Sequence, residues 1–173
     1  MKKLNRILAI ILVLAALTAV CACGGDKYAK LSVDVNGIGR NMLNIARFEF
    51  KPEVMDDPAF AAEQLKLATA DLNMIDGKPE IFYAVSAASP EAVFVIGARD
   101  AAAAKSISNG PIKNWIADYR EGYSSYGPEQ VPKLDSCVNM TAGRYVFVIV
   151  SNDNAAAKKS LTDLLDTALK ING

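Results

Sequence analysis

The sequence predicts an α+β fold in which helices pack on one antiparallel sheet of four to five strands. Two pairs of apolar β segments, at about Ile81–Ile96 and Cys137–Val150, have the pattern of β-hairpins, and an amphipathic helix follows each pair. The strongest β signal, Tyr145–Val150, is apolar at every position, which is typical of a central strand covered on both faces. A chain of 173 residues has room for one such domain.

The segment before the first hairpin carries weaker signals. Leu31–Val35 alternates apolar and polar residues, which predicts a short edge strand or an extended lead-in. Phe48–Val54 is a second extended stretch, and Asp57 before Pro58 predicts the start of a helix that runs to about residue 70. Because the central strand needs cover on both faces, we expect residues 37–70 to supply one of the two layers.

Each hairpin has its own turn signal. Pro90 fixes the backbone of the first turn, and Gly143 supplies the positive φ that the short second turn requires. In the central strand, Tyr145, Phe147 and Ile149 are expected to face one side and the three valines between and after them the other.

Two helical segments, 101–122 and 153–170, are expected to pack together on one face of the sheet. Gly110-Pro111 interrupts the first, and because proline lacks an N–H the helix either kinks or restarts there. The second places its apolar residues on one stripe, which predicts a helix docked on the core. These residues are Ala157, Leu161, Leu164, Leu165, Ala168 and Leu169.

The amino terminus has the pattern of a bacterial lipoprotein signal. A basic start, Met1–Arg6, precedes an apolar run, Ile7–Val20, and then Cys-Ala-Cys-Gly-Gly. The prediction is a signal peptide over 1–22, a lipid anchor at Cys23 with a short tether to residue 30, and one globular domain over 31–173. Modification at Cys21 is disfavoured because the bulky Val20 precedes it.

Composition excludes several classes of function. The chain has no histidine, which removes the usual general base and the commonest metal ligand, and no Ser-x-x-Lys pattern is present. We therefore expect no enzyme activity, cofactor or metal. Removal of residues 1–22 leaves 16 cations against 19 carboxylates, a net charge of −3, which does not suggest a nucleic-acid partner.

An aromatic stripe is the one candidate binding feature of the mature chain. Trp115, Tyr119, Tyr123 and Tyr126 recur at helical spacing. Such rings could stack on a small ligand or a wall sugar, or they could face the core; the spacing fits both.

Other chemical signals are weaker. Cys137 is the only cysteine of the predicted mature domain besides Cys23, and it is interpreted as a buried, inert thiol. Gly37-Ile38-Gly39 resembles the start of a dinucleotide loop, but Met42 stands where the third glycine belongs. Asp71 and Asp76 lack the dense spacing of a calcium loop.

These motifs occur together in a recognisable order. The cysteine at 23 is followed by Asn41–Ile45, Ser89–Ile96, Tyr126-Gly-Pro-Glu and Gly143–Ser151. The combination resembles a family of small lipoproteins from Gram-positive bacteria known as domain of unknown function 4358. The resemblance implies an extracytoplasmic protein anchored at the outer face of the cell membrane, and it carries no catalytic or binding residues.

Three functional hypotheses follow. The first is a non-enzymatic module that binds an envelope protein or cell-wall component close to the membrane. The second is a lipoprotein that binds a small ligand or glycan through the aromatic stripe, which requires exposed rings. The third is an enzyme that uses carboxylates or a thiol, which requires such groups to converge in a cleft with perturbed pKa values. Oligomeric state is left open.

Overall fold

The computed structural model describes residues 26–55, 58–84 and 86–172. This part of the chain forms a five-stranded antiparallel sheet with helices on both faces, which confirms the α+β prediction. The strands are β1 (Pro52–Val54), β2 (Glu80–Ala84), β3 (Ala92–Gly97), β4 (Val138–Ala142) and β5 (Tyr145–Val150). The α-helices are α1 (Val35–Ile45), α2 (Pro58–Gln64), α3 (Thr69–Leu72), α4 (Ala101–Ile107), α5 (Lys113–Tyr126), α6 (Val131–Asp135) and α7 (Asn154–Asn172).

The sheet has the strand order β1-β2-β3-β5-β4, with every neighbouring pair antiparallel. The two predicted hairpins are β2–β3 and β4–β5. Gly143 has the expected positive φ, 55°, at the second turn. The fifth strand is β1, at the edge beside β2, whereas residues 31–34 form no strand.

The central strand β5 is buried on both faces, as its composition predicts. Tyr145, Phe147 and Ile149 belong to one apolar cluster, and Val146, Val148 and Val150 belong to the other. Its neighbour β3 divides in the same way, with Val93 and Val95 on the first side and Phe94 and Ile96 on the second. The core therefore consists of two layers separated by the sheet.

The prediction that both long helical segments share one face is wrong. α4 and α5 pack on the face of Val146, whereas α7 packs on the face of Phe147 together with α1. The physical reason is that β3 and β5 are apolar on both sides, so each side needs its own helical layer. We call the α1 and α7 side the aliphatic face and the α4 and α5 side the aromatic face. Residues 37–70 are divided between them, with Ile38 on the aliphatic face and Leu65 on the aromatic face.

The interruption at Gly110-Pro111 is neither a break nor a restart. One π-helical turn, Ser108–Ile112, continues α4 into α5. A wider turn accommodates Pro111, which cannot donate the usual backbone hydrogen bond. The turn is fixed to the sheet because Ser108 Oγ lies 2.8 Å from Asn139 Oδ1 and Asn139 Nδ2 donates back to the Ser108 carbonyl at 3.1 Å.

The helix predicted to run from residue 58 to about 70 ends early. α2 stops at Gln64, and α3 begins only at Thr69. Lys66 between them has φ 48°, in the left-handed region, and one left-handed residue is a common helix terminator. The short, separate α2 leaves its side chains free to line a cleft.

The first described residues are in contact with the domain, although the sequence assigned residues up to 30 to a tether. Tyr28 and Leu31 are buried on the aliphatic face. Asp26 Oδ2 accepts a hydrogen bond from the Gly143 N–H at 2.9 Å, and Tyr28 Oη donates to Asp166 at 2.7 Å. The predicted signal peptide and Cys23 lie outside the described residues. None of the described helices combines the length and apolar character that a membrane crossing requires.

Candidate functional site

A cleft of about 790 Å³ opens on the aromatic face. Residues of α2, α5, the end of β2 and the β2–β3 connection line it. This volume lies within the range of about 300–1,000 Å³ that is typical of small-molecule sites. Six aromatic side chains take part in the lining: Phe60, Tyr83, Trp115, Tyr119, Tyr123 and Tyr126.

The rings of α5 form a continuous series along the helix. Residues three or four apart lie on one side of a helix, and this spacing brings Trp115, Tyr119, Tyr123 and Tyr126 together. Successive ring centroids are 4.4, 6.3 and 4.9 Å apart. The structure therefore unites all four predicted stacking residues in one cleft.

The four rings are not equally accessible, so neither of the two interpretations of the stripe, core or binding surface, holds for all of them. Trp115 is only 3% exposed and Tyr123 only 2%, because both belong to the core of the aromatic face. Tyr119 is half-buried, and Tyr126 is 67% exposed. Trp115 packs against Phe94 with centroids 4.7 Å apart. The stripe is thus core at one end and cleft rim at the other.

Two polar atoms among the cleft-lining residues are buried without a hydrogen-bond partner. They are Trp115 Nε1 and Tyr83 Oη. Their neighbours are satisfied: Tyr119 Oη donates to Gln64 Oε1 at 3.3 Å, and Tyr123 Oη donates to the Ala87 carbonyl at 2.9 Å. A buried donor without a partner costs about 1–3 kcal/mol, so the packing of these two residues is less favourable than that of their neighbours.

The hydroxyls of Tyr83, Tyr119 and Tyr123 stay protonated at neutral pH because their pKa values are raised. Burial raises the pKa of Tyr83 and Tyr119 above the ordinary tyrosine value, and the neighbouring Trp115 N–H opposes that rise at both. Burial likewise raises the pKa of Tyr123. The indole N–H therefore lies close to the hydroxyls of Tyr83 and Tyr119, and both hydroxyls can act as donors.

The charged side chains of the cleft are at its solvent side. Glu63, Asp118 and Lys66 are all exposed, and Lys66 Nζ lies 2.6 Å from Asp118 Oδ2. Two carboxylates and one ammonium give the lining a net charge of −1. Because water screens these groups, they have none of the desolvation that turns a carboxylic acid into an effective general acid.

The most deeply buried charged side chain of the described residues, Glu91, makes its hydrogen bonds within the fold. Glu91 is fully buried and accepts backbone N–H groups of Glu49 and Phe50 at 2.9–3.0 Å. Lys133 Nζ lies 3.1 Å from Glu91 Oε1 and 3.2 Å from Glu49 Oε2. Each Glu91 oxygen has partners, so this group has no capacity left for a ligand.

Cys137 lies away from the aromatic cleft. It is half-buried at the start of β4, in a separate depression with Asn139 and Asn154. Burial raises the pKa of its thiol to about 11, and the nearby Asp135 carboxylate adds to the rise. The thiolate fraction is therefore small at neutral pH, and this environment does not activate a nucleophile.

The cleft and the first described residues are on opposite sides of the molecule. Tyr28 packs on the aliphatic face and Asp26 contacts the β4–β5 turn. The cleft lies on the aromatic face and extends to the β2–β3 connection. Since β3 and β5 pair Gly97 with Tyr145 and Ala92 with Val150, these two connections are at opposite ends of the sheet. Six residues of β5 separate the two ends by about 20 Å.

Sequence reasoning missed the residues that complete the cleft. The sequence pattern predicts Tyr83 only as part of an apolar strand. It predicts Phe60 and Gln64 only as residues on one side of a helix. The ring centroids of Phe60 and Tyr83 are 6.2 Å apart, and those of Tyr83 and Trp115 are 6.1 Å apart. The one sequence signal for these residues is the i, i+4 spacing of Phe60 and Gln64, which places both side chains on the same side of α2.

The arrangement offers binding groups rather than reactive ones: ring surfaces, neutral hydroxyls, an indole N–H and solvated carboxylates. Among the residues that the structure describes, no three histidine, cysteine, aspartate or glutamate side chains are grouped so that they could hold a metal ion. Scans against protein-family models, curated proteins and solved structures find no match for this chain.

Proposed function

We propose that this protein is a lipid-anchored, non-enzymatic binding protein at the outer face of a bacterial cell membrane, and that it takes a small ligand into the aromatic cleft. The observation that carries the proposal is the cleft itself, which is lined by six aromatic side chains together with polar and charged groups. Pockets of this kind, mostly apolar with a few convergent polar groups, are the usual sites of ligand binding.

The surface favours a small ligand over an envelope protein as the occupant. Stable protein interfaces have an apolar centre with large side chains. In the described ranges the exposed large apolar side chains are Leu72, Tyr126 and Ile171, which lie on α3, α5 and α7. They lie on three different helices, whereas the cleft brings six aromatic side chains together in one concave place.

The proposed location rests on the amino-terminal pattern and on the resemblance to small Gram-positive lipoproteins. A diacylglyceryl group on Cys23 would hold the chain stably, because each buried methylene contributes about 0.8 kcal/mol and two acyl chains are present. The described chain begins on the aliphatic face. An anchor just before it would leave the cleft facing away from the membrane.

A non-enzymatic role is supported by the chemistry of the site. The chain lacks histidine, the thiol of Cys137 has a pKa of about 11, and the cleft carboxylates are solvated. None of these groups is poised for proton transfer or nucleophilic attack near pH 7.

The anchor is tested by Cys23→Ser in cells. The expected result is that the protein moves from the membrane fraction to the soluble extracytoplasmic fraction and no longer incorporates labelled fatty acid. Cys21→Ser is the matched control and should change neither readout. Membrane association that survives Cys23→Ser would contradict the anchor.

The cleft is tested by photo-crosslinking of the anchored, full-length chain. A photoreactive phenylalanine analogue at position 126 stands on the cleft rim, and the same analogue at position 171 is similarly exposed on α7. We expect an envelope-derived adduct from position 126 and none from position 171. Equal adducts from both positions, or none from 126, would overturn the proposed site.

A further inference from the structure

The accessible part of the cleft combines aromatic rings with carboxylates. The side chain of Tyr126 is 67% exposed, and those of Phe60 and Tyr119 are half-buried. Glu63 and Asp118 are exposed on the solvent side of the same cleft. A ligand can reach these groups, whereas the unpaired polar atoms of the deeper lining are closed to solvent. The chemistry of the ligand must therefore match the rings and carboxylates of the rim.

One row of α5 holds a ring and a carboxylate close together. Asp118, Gly122 and Tyr126 follow at i, i+4 spacing, and all three line the cleft. The Tyr126 ring folds back beside Gly122, since a Cβ at that glycine would lie 3.5 Å from Tyr126 Cε1 and 3.8 Å from its Oη. Gly122 is one helical turn, about 5.4 Å, from Asp118. Because Gly122 has no side chain, the space between the ring and the Asp118 carboxylate stays open to a ligand.

The charges of the rim favour a positive ligand. Among the described residues that line the cleft, Glu63 and Asp118 are the anions and Lys66 is the cation. Lys66 Nζ pairs with Asp118 Oδ2, but their side chains are 75% and 47% exposed, and an ion pair this exposed contributes little, so a ligand can compete for Asp118. In the described part of the chain, the Glu63 carboxylate has no hydrogen-bond or ion-pair partner.

The three charge classes of ligand would use these groups unequally. An anion would meet two carboxylates, and the cation Lys66 is already paired. An uncharged molecule could pack on the rings but would gain nothing from the net charge of −1. A cation gains from both, because the face of an aromatic ring carries negative electrostatic potential and attracts it as the carboxylates do.

We propose that the ligand of the cleft is a small organic cation. Its charged nitrogen group lies over the exposed Tyr126 ring and between the carboxylates of Asp118 and Glu63, and its apolar body packs on Phe60 and Tyr119. This assignment rests on the proposed binding function and names the chemical class of the ligand.

Matched pairs of probes isolate the contribution of the charge. The full-length protein in a non-ionic detergent would be titrated calorimetrically with choline and with benzylamine. The uncharged counterparts are the choline analogue in which a tert-butyl group replaces trimethylammonium, and benzyl alcohol; inorganic phosphate is the anionic probe. The expected result is saturable binding of at least one cation, several-fold tighter than its uncharged counterpart, and no binding of phosphate. An uncharged counterpart that binds as tightly as its cation would overturn the proposal.

Variants of the exposed ring locate the cation. Tyr126→Leu keeps an apolar side chain but removes the ring, and it is expected to weaken cation binding roughly two- to fivefold, the worth of a cation contact with an exposed ring. Tyr126→Phe keeps the ring face and should retain the affinity. Equal affinities in the Leu and Phe variants would place the cation elsewhere and contradict the assignment.

Variants of the charges should act in opposite directions. Glu63→Gln removes an attractive carboxylate and should weaken cation binding roughly two- to fivefold, whereas Lys66→Gln frees Asp118 and should tighten it by a similar factor. Glu121→Gln is the control, because Glu121 is exposed on the same helix but does not line the cleft, and it should leave the affinity unchanged. Equal effects at 63 and 121, or weaker binding after Lys66→Gln, would refute a cation at the rim.

The outcomes separate the ligand class from the binding function. Binding of phosphate or of the uncharged probes alone, or no binding of any probe while position 126 still forms its envelope adduct, overturns the cation assignment and leaves the binding function in place. Absence of both probe binding and the adduct overturns the binding function as well.

Discussion

The two faces of the sheet bury their strands equally but are filled in different ways. The aliphatic face is closed by α1, α7 and the first described residues, and its tyrosine hydroxyls have partners: Tyr28 bonds Asp166, and Tyr145 Oη accepts the Val33 N–H at 3.2 Å. The aromatic face is filled by rings of α5 and β2, leaves a cleft, and keeps two polar atoms unpaired. The tyrosine hydroxyls of the aliphatic face are paired within the fold, whereas Trp115 Nε1 and Tyr83 Oη of the aromatic face are not; one carboxylate oxygen of Glu80, beside α1, is also unpaired.

The largest expected effect is a loss of folding stability at alkaline pH, caused by the buried tyrosines of the aromatic face. Burial raises the pKa of Tyr83, Tyr119 and Tyr123, so above the unfolded value of about 10 the folded state holds protons that the unfolded state loses. Stability is fully present below that value and falls above it, by about 1.4 kcal/mol per pH unit for each tyrosine kept neutral.

Urea unfolding at pH 8 to 11.5, with tyrosinate absorbance as a second probe, measures the alkaline loss. Tyr83→Phe should make the decline shallower because one buried titrating group is removed. Stability that stays constant up to pH 11.5 would contradict the cause assigned to these pKa shifts.

Leu161→Ala should destabilise the aliphatic face by about 3 kcal/mol, since deletion of a fully buried leucine leaves a cavity. Leu164→Ala, at a half-buried position on the same helix, is the control and should cost less than half as much. Chemical denaturation gives both values. An equal loss in the two variants would mean that α7 is not packed as described.

Gly143→Ala should cost about 2 kcal/mol and release the first described residues. Its Cβ would collide with the Tyr28 carbonyl oxygen, and alanine at φ 55° adds roughly 1–2 kcal/mol of backbone strain. Gly77 also has a positive φ but has open space around it, so Gly77→Ala isolates the strain alone. Limited proteolysis between residues 26 and 31 should speed up only in the Gly143 variant, and protection in both would argue against the described contact.

A pair of isosteric variants gives the smallest and most direct comparison of the faces. Tyr145→Phe removes the acceptor of the Val33 N–H and should destabilise by about 1 kcal/mol. Tyr83→Phe removes a buried hydroxyl that has no partner, so stability should stay the same or rise by up to about 1 kcal/mol. If both variants lost the same stability, the distinction between the hydrogen-bonded hydroxyl of Tyr145 and the unpaired hydroxyl of Tyr83 would be wrong.

The hairpins of the fold could be predicted because their information is local. Residues 145–150 are apolar at every position, which reports burial on both faces, and Gly143 reports a turn. The choice of face for α7 is not local, since an amphipathic helix fits either side of a sheet that is apolar on both. β1 was missed as a strand because it has three residues and begins with Pro52.

The candidate site was predictable only in part, for the same reason. The spacing of the aromatic residues of α5 predicts a cluster of rings. It does not predict that Trp115 is buried and Tyr126 exposed. Phe60 and Tyr83 join the cluster across more than 30 residues of chain from Trp115, and no local pattern encodes that meeting. An unpaired N–H is a property of the packed state and has no signature in sequence.

The contacts of the first described residues also decide where the molecule would bear a mechanical load. A pull applied at residue 26 acts on the hydrogen bond between Asp26 and Gly143 and on the bonds from Lys27 and Tyr28 to Asp166. The force therefore acts on the β4–β5 turn and on α7. The sheet separates these elements from the aromatic rings on its other face. A load applied at residue 26 therefore acts at the end of the sheet that lies opposite the cleft.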